Sequence, residues 1–151
     1  MSPNRNTKMD PITLEVIIEA FLGVVREMRV TVIRTAYSSV VCQGHDFSCG
    51  LFDPKGELVA QSEDLPMHVL PMSWSVKDVM KKYGSDIQPG DVFLVNDPVH
   101  GGTHLNDVMV TMPIFAGKKL FLFAAVRAHW LDVGGMVPGS LSGAACEIFQ
   151  E

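Results

Sequence analysis

Histidine and carboxylate side chains occur together in two glycine-containing loops of this sequence. His104 and Asp107 are separated by two residues, and a local turn of the backbone would present both side chains to one point. His129, in the second loop, supplies a third group, and either Asp46 or Asp97 supplies a fourth. Imidazole and carboxylate sets without thiolates suit Mn²⁺, Fe²⁺ or Zn²⁺ rather than a structural zinc site. These residue types therefore indicate a divalent-metal site.

The same residues also have a purely structural interpretation. His104 and His129 can hydrogen-bond loop carbonyl groups, while Asp97 and Asp107 can cap turns. Likewise, the stretch His100-Gly101-Gly102 offers backbone N–H groups to an anion or simply forms a tight turn. Residue spacing alone leaves each pair of alternatives open.

The elements that must position these loops begin with a long helix. Asp10 can cap it, and Pro11 fits its first turn. Apolar residues then recur at alternating four- and three-residue steps, which predicts one apolar stripe on an amphipathic helix that packs against a sheet or another chain. The stripe consists of Leu14, Ile18, Phe21, Val25, Met28 and Val32.

A strand-rich region follows the helix. Residues 48–52 and 57–61 flank the turn sequence Asp53-Pro54-Lys55-Gly56 and predict a β-hairpin. A short helix is expected over residues 73–83, and further strands over 92–95, 108–115 and 120–126. The predicted fold class is α+β: a long N-terminal amphipathic helix packed on a mixed or antiparallel strand-rich body with Gly-rich loops.

Composition restricts the class of protein. The chain has 151 residues, 47% of them apolar, and a formal net charge of −5. Such acidity, without a basic cluster, argues against nucleic acid or an anionic membrane as partner. The longest apolar run, residues 120–126, is far below the ~20 residues of a spanning helix. We expect a cytoplasmic domain with free thiols and a flexible segment over residues 1–9.

At the two loops the sequence resembles the hydantoinase B/oxoprolinase family. Upstream motifs agree in the same order, and the similarity runs from residue 10 to residue 151. The residues that carry it are Asp10-Pro11-Ile12-Thr13-Leu14-Glu15-Val16, Arg34-Thr35-Ala36-Tyr37-Ser38, Asp46-Phe47-Ser48-Cys49, Asn96-Asp97-Pro98, Gly101-Gly102-Thr103-His104-Leu105, Asp107, Ala128-His129, Asp132-Val133-Gly134-Gly135 and Pro138-Gly139-Ser140.

The resemblance implies a ligand set and a partner. In that family an Asp, a His-x-x-Asp pair and a downstream His hold Mn or Zn. These ligands correspond in this sequence to Asp46, His104, Asp107 and His129. A hydantoinase A-like partner uses ATP to activate the substrate. Asp132 is then expected to accept a proton from a ligating imidazole or to orient a water, although a turn cap before Gly134 is an equal alternative.

The expected function is therefore that of a metal-dependent subunit, or fragment of one, of an ATP-dependent amidohydrolase. Its substrate would be a cyclic amide such as a hydantoin, 5-oxoproline or a lactam, and its assembly a hetero-oligomer. Two alternatives remain: a subunit of an ATP-dependent ketone carboxylase, and a non-catalytic interaction module. Family B subunits are several times longer, so residues 10–151 resemble only the N-terminal part of such a subunit, whether as a fragment or as a separate small subunit. Trp130 also replaces a second histidine found in many relatives.

Overall fold

A five-stranded antiparallel sheet forms the centre of the fold, which confirms the predicted α+β class. The computed structural model describes residues 9–139 and 142–150. The expected flexible N-terminus lies outside this description except for Met9. Within it, no helix combines the length and the hydrophobicity that crossing a membrane requires.

The sheet order differs from the chain order. The strands are β1 (Phe47–Phe52), β2 (Leu58–Gln61), β3 (Phe93–Val95), β4 (Asp107–Ala116) and β5 (Lys119–His129). They lie side by side in the order β2-β1-β5-β4-β3. Every neighbouring pair is antiparallel, and short hairpins join β1 to β2 and β4 to β5. The two long strands that carry site residues, β4 and β5, therefore lie at the middle of the sheet rather than at an edge.

Helices cover both faces of the sheet. On one face α1 (Pro11–Thr35) and the short α2 (Ser39–Cys42) pack over Phe47, Cys49 and Leu51 of β1. On the other face α3 (Pro66–Tyr83) packs through Met72 and Val76 on a second apolar cluster. That cluster includes Phe52, Met109, Phe123 and Ala125. Because side chains alternate along a strand, β1 is buried along its whole length.

The apolar stripe of α1 is only partly covered. Val25 is fully buried, and Met28 and Val32 pack against the core. Leu14 and Ile18, in the first half of the helix, remain 46% and 43% exposed. Asp10 caps the helix as the sequence indicates, since its carboxylate accepts a hydrogen bond from the Thr13 backbone N–H at 3.1 Å.

The second long helix begins earlier than expected. It starts at Pro66 rather than at residue 73, and Pro71 lies inside it. Pro66 fits the first turn of a helix because it has no N–H to leave unpaired, and Pro71 is tolerated where Val69 and Met72 are buried against the sheet. The predicted start at residue 73 is therefore wrong, and the additional turns bring His68 onto the buried face.

The cysteines are free in the described residues, and they differ in exposure: Cys49 is buried and Cys146 is exposed. Burial and the nearby Asp64 carboxylate raise the pKa of the Cys49 thiol to about 12, against a smaller opposing effect of Arg29.

Because the thiolate is the reactive form, we expect a thiol reagent at pH 8 to modify exposed Cys146 in the native protein and Cys49 only after unfolding in urea. Mass spectrometry of the labelled peptides measures this, and equal native rates at the two positions would contradict the buried environment of Cys49.

Candidate metal centre

Sheet register brings Asp107 and His129 together. Asp107 opens β4, His129 ends β5, and the two residues are directly paired across the ladder. Directly paired residues point to the same face of a sheet, where their Cβ atoms are ~4.5–5.5 Å apart. Here that is the face covered by α3, since Met109, two residues after Asp107, packs against Met72. The β4–β5 pairing thus brings a carboxylate and an imidazole together beneath a helix.

Asn106 closes the end of this ladder. Its backbone carbonyl accepts a hydrogen bond from the Trp130 N–H at 2.8 Å, and its side-chain amide donates to the Trp130 carbonyl at 2.6 Å. Asn106 is 2% exposed, so the two bonds tie a buried residue to the first residue after β5. They extend the β4–β5 pairing beyond His129 and fix where each strand leaves the sheet.

The loop before β4 supplies the third group. His104 Nε2 lies 3.0 Å from Asp107 Oδ1, and His129 Nδ1 lies 3.5 Å from the same oxygen. The two histidine nitrogens are 3.3 Å apart. We call these three residues the His–Asp–His triad. Its ligand atoms all lie within 4.8 Å of one another, so the structure brings together three of the four predicted ligands.

The triad has the dimensions of a metal site. Around tetrahedral zinc with bonds of ~2.0–2.1 Å, neighbouring ligand atoms are about 3.3 Å apart. The three separations of 3.0, 3.3 and 3.5 Å in the triad bracket that value. Two imidazole nitrogens and a carboxylate oxygen also form a donor set that suits Zn²⁺, Mn²⁺ or Fe²⁺. The residues present therefore fit a divalent ion.

Asp107 is held in its charged form. Burial acts to raise its pKa, but the hydrogen-bonding and electrostatic contributions of His68, the Thr103 hydroxyl and the nearby His104 hold the pKa well below its usual range. The carboxylate is 5% exposed. A buried anion beside two imidazoles is the charge arrangement that a cation site requires.

This lowered pKa predicts an acid-dependent loss of stability. A group with a depressed pKa in the folded state stabilises the fold above its unfolded value of about 3.9, and that contribution is lost as the pH falls toward the folded value. In chelator-treated protein, we expect the free energy of unfolding to fall below about pH 4 more steeply for the wild type than for Asp107→Asn. Urea titrations between pH 3 and pH 7 measure the two slopes, and parallel curves would contradict a depressed pKa.

Asp46, the fourth predicted ligand, lies next to the triad. It precedes β1, and its backbone carbonyl accepts a hydrogen bond from the His129 N–H at 3.1 Å. Its Oδ1 lies 3.8 Å from His68 Nε2, and Asp46 is not among the three residues whose ligand atoms converge within 4.8 Å. Asp46 therefore lies beside the triad, but its carboxylate does not converge with the three ligand atoms.

The other acidic candidates have structural contacts. Asp132 is exposed, and its Oδ1 accepts a hydrogen bond from the Gly134 N–H at 2.8 Å. Asp97 caps the turn Pro98–His100, since its Oδ1 accepts from the Val99 N–H at 2.9 Å. Both contacts are the turn caps that the sequence allowed. Proton transfer or water orientation by Asp132 stays a prediction.

A buried arginine supports the loop that carries His104. Arg127 lies on β5 two residues before His129 and is fully buried. Its Nη2 donates to the Gly101 carbonyl at 2.8 Å and to Ser75 Oγ at 2.9 Å. The Ser75 hydroxyl donates in turn to the His100 carbonyl at 3.0 Å. The loop is therefore fastened at successive carbonyls to both α3 and β5.

Sequence reasoning assigned no role to His68, which the structure places in the site. The residue is 2% exposed, and its Nε2 lies 3.3 Å from Asp107 Oδ2. The signal was present: His68, Met72 and Ser75 recur at helical spacing, so two polar residues lie on the buried face of α3. This spacing did not identify His68 because the helix was predicted to begin after that residue.

Comparison with known proteins decides the family of this chain. The family model for hydantoinase B/oxoprolinase matches residues 10–151. The chain belongs to this family. The resemblance found in the sequence is thereby confirmed.

Two relatives and one solved structure illustrate the similarity. The 5-oxoprolinase 1 of Arabidopsis thaliana is 38% identical over 142 residues, covering 94% of this chain and 11% of its own length. The caprolactamase subunit beta of Pseudomonas jessenii is 36% identical over 143 residues, covering 95% and 25%. The crystal structure of the ATP-dependent caprolactamase from that organism has a TM-score of 0.74 at 29% identity, covering 87% of this chain and 23% of the other.

A nucleotide-free structure of acetone carboxylase shares the fold. Its TM-score is 0.78 at 23% identity, with 84% of this chain and 17% of the other covered. The chain spans only 11% to 26% of the length of the curated relatives that it matches.

Proposed function

We propose that this chain forms the metal-binding part of an ATP-dependent hydrolase that opens a cyclic amide, such as a hydantoin, 5-oxoproline or a lactam. The observation that carries the proposal is the convergence of His104 Nε2, Asp107 Oδ1 and His129 Nδ1 within 4.8 Å. Membership of a family whose relatives are named 5-oxoprolinase and caprolactamase supports the substrate class.

Each residue of the site has a distinct role in this proposal. His104, Asp107 and His129 hold the ion, and Asp46 completes the set from the loop before β1. When bound, a divalent ion, Mn²⁺ or Zn²⁺ and by donor type also Fe²⁺, would supply Lewis-acid chemistry for a carbonyl or phosphoryl oxygen and a more acidic water. Asp107 would keep a negative charge beside the ion, and Asp132, in the loop after β5, would orient water or accept a proton.

ATP belongs to the partner in this proposal. A cyclic amide is a poor electrophile, and transfer of the γ-phosphoryl group of ATP to the amide oxygen by a hydantoinase A-like subunit would release ADP and activate the ring carbon. Water would then add to that carbon, the C–N bond would break with the ring nitrogen leaving as an amine, and phosphate would be released. The name of the caprolactamase relative, a subunit beta of an ATP-dependent enzyme, supports a hetero-oligomer. We place the assembly in the cytoplasm, where ATP is available.

The test is reconstitution with the partner. The chain, produced together with a hydantoinase A-like subunit, is assayed for ADP release and ring opening on hydantoin, 5-oxoproline and caprolactam, before and after chelator treatment. We expect ring opening that requires ATP and is lost on chelation and restored by Mn²⁺ or Zn²⁺. Ring opening that persists without ATP or after complete metal removal would overturn the proposal.

Ketone carboxylation is the second candidate, favoured by the shared fold with acetone carboxylase. The same reconstituted assembly is supplied with acetone or acetophenone, ATP and ¹⁴C-bicarbonate. Incorporation of label into an acid product would establish the carboxylase, since a hydrolase consumes no bicarbonate.

A further inference from the structure

His68 contacts the triad from the side of α3. Its ring is 2% exposed, its Nε2 lies 3.3 Å from Asp107 Oδ2, and the same nitrogen lies 3.8 Å from Asp46 Oδ1. Its other nitrogen, Nδ1, is buried and has no hydrogen-bond partner among the residues that the structure describes. The polar edge of the ring is thus turned toward the two carboxylates.

These contacts select one tautomer. With the proton on Nε2, the ring donates to Asp107 Oδ2 and buries only an unprotonated Nδ1. With the proton on Nδ1, the ring would bury an unpaired N–H and set a lone pair against a carboxylate oxygen, and each of those is costly in a buried site. His68 is therefore a donor to Asp107.

The two oxygens of Asp107 consequently face different neighbours. Oδ1 faces His104 Nε2 and His129 Nδ1, at 3.0 and 3.5 Å. Oδ2 accepts a hydrogen bond from the Thr103 hydroxyl and lies 3.3 Å from His68 Nε2, in reach of its N–H. A carboxylate whose second oxygen is held by two donors presents one oxygen to a cation, with its plane fixed.

We propose that His68 is a positioning residue, which holds Asp107 as a one-oxygen ligand and separates it from the carboxylate of Asp46. The inference rests on the metal site of the proposed function. His68 Nε2 approaches Oδ2, the oxygen that is turned away from the other imidazoles, so the ring acts through Asp107 rather than as a ligand itself.

The test compares three variants of the intact protein. His68→Leu keeps the volume and removes the donor. His68→Gln keeps an amide N–H near the position of Nε2, while His68→Asn places its amide nearer the position of Nδ1. For each, competition with a chromogenic chelator gives the Zn²⁺ dissociation constant, the visible spectrum of the Co²⁺ form reports the ligand geometry, and circular dichroism verifies folding.

We expect His68→Leu to weaken Zn²⁺ binding about 10- to 100-fold, the range seen when outer hydrogen-bond partners of metal ligands are removed, and to change the Co²⁺ spectrum. His68→Gln should recover most of the affinity and the wild-type spectrum. If His68→Leu does not fold, His68→Asn takes its place and should show the same weakening.

Two results overturn the inference, and they are distinguishable. Wild-type protein that binds neither Zn²⁺ nor Co²⁺ would remove the metal site and this inference with it. Wild-type binding with an unchanged constant and spectrum in His68→Leu, or in His68→Asn, would remove the role of His68 and leave the metal site in place.

Discussion

Replacing Asp107 with asparagine is expected to weaken divalent-metal binding by more than about 100-fold. Removing an outer partner of a ligand costs about 10- to 100-fold, and this change removes a direct ligand together with its charge. The asparagine has nearly the same shape, so the loss follows from chemistry rather than from packing. Isothermal titration of chelator-treated protein with Zn²⁺ or Mn²⁺ measures it.

The matched control is Asp86→Asn. Asp86 is an exposed carboxylate in the turn after α3, and its replacement changes the net charge by the same amount. It should leave metal affinity unchanged. Equal weakening by both variants would show that the loss of affinity comes from the change in net charge. Unchanged affinity in Asp107→Asn would contradict the assignment of Asp107 as a ligand.

Gly101→Ala is expected to destabilise the protein by about 2–5 kcal/mol, combining a left-handed backbone penalty with overpacking. Gly101 has φ +83°, and a Cβ atom there would lie 2.6 Å from the Ser75 backbone nitrogen and 2.9 Å from the Pro71 carbonyl oxygen. Backbone atoms of a helix cannot move aside as a flexible side chain can. The loop must therefore lift from α3, which breaks the Arg127 hydrogen bond to the Gly101 carbonyl.

Gly117→Ala separates the two causes. Gly117 also has a positive φ, +63°, but a Cβ atom there meets nothing within 4 Å. Its substitution should cost only the conformational part, about 1–2 kcal/mol. Urea unfolding gives both values, and equal losses would contradict the close packing of the loop on α3. We also expect Gly101→Ala, unlike Gly117→Ala, to weaken metal binding, because the displaced loop carries His104.

The fold class was predictable because local patterns agreed with the final packing. The hairpin at Asp53–Gly56 is confirmed: the Asp53 carboxylate accepts hydrogen bonds from the Lys55 and Glu57 backbone N–H groups. The apolar runs near residues 108–115 and 120–126 are confirmed as β4 and β5, each a little longer than expected. The strand order was not predicted, because β1 pairs with β5 through contacts far apart in the sequence.

The site was predictable as a set of residue types and not as an arrangement. His-x-x-Asp spacing identified His104 and Asp107 as a pair, and the structure places them 3.0 Å apart. The approach of His129 depends on the register of β4 against β5, which no spacing rule states. His68 and Arg127 were missed because buried polar residues in apolar segments look like core positions until a partner in space is known.

The central claim is that His104, Asp107 and His129 hold a divalent ion, and anomalous diffraction tests it most directly. A crystal of the protein soaked in Zn²⁺ is measured on either side of the zinc absorption edge. We expect an anomalous peak about 2.0–2.2 Å from His104 Nε2, Asp107 Oδ1 and His129 Nδ1. Zinc bound elsewhere, with no peak between these three atoms, would contradict the assignment.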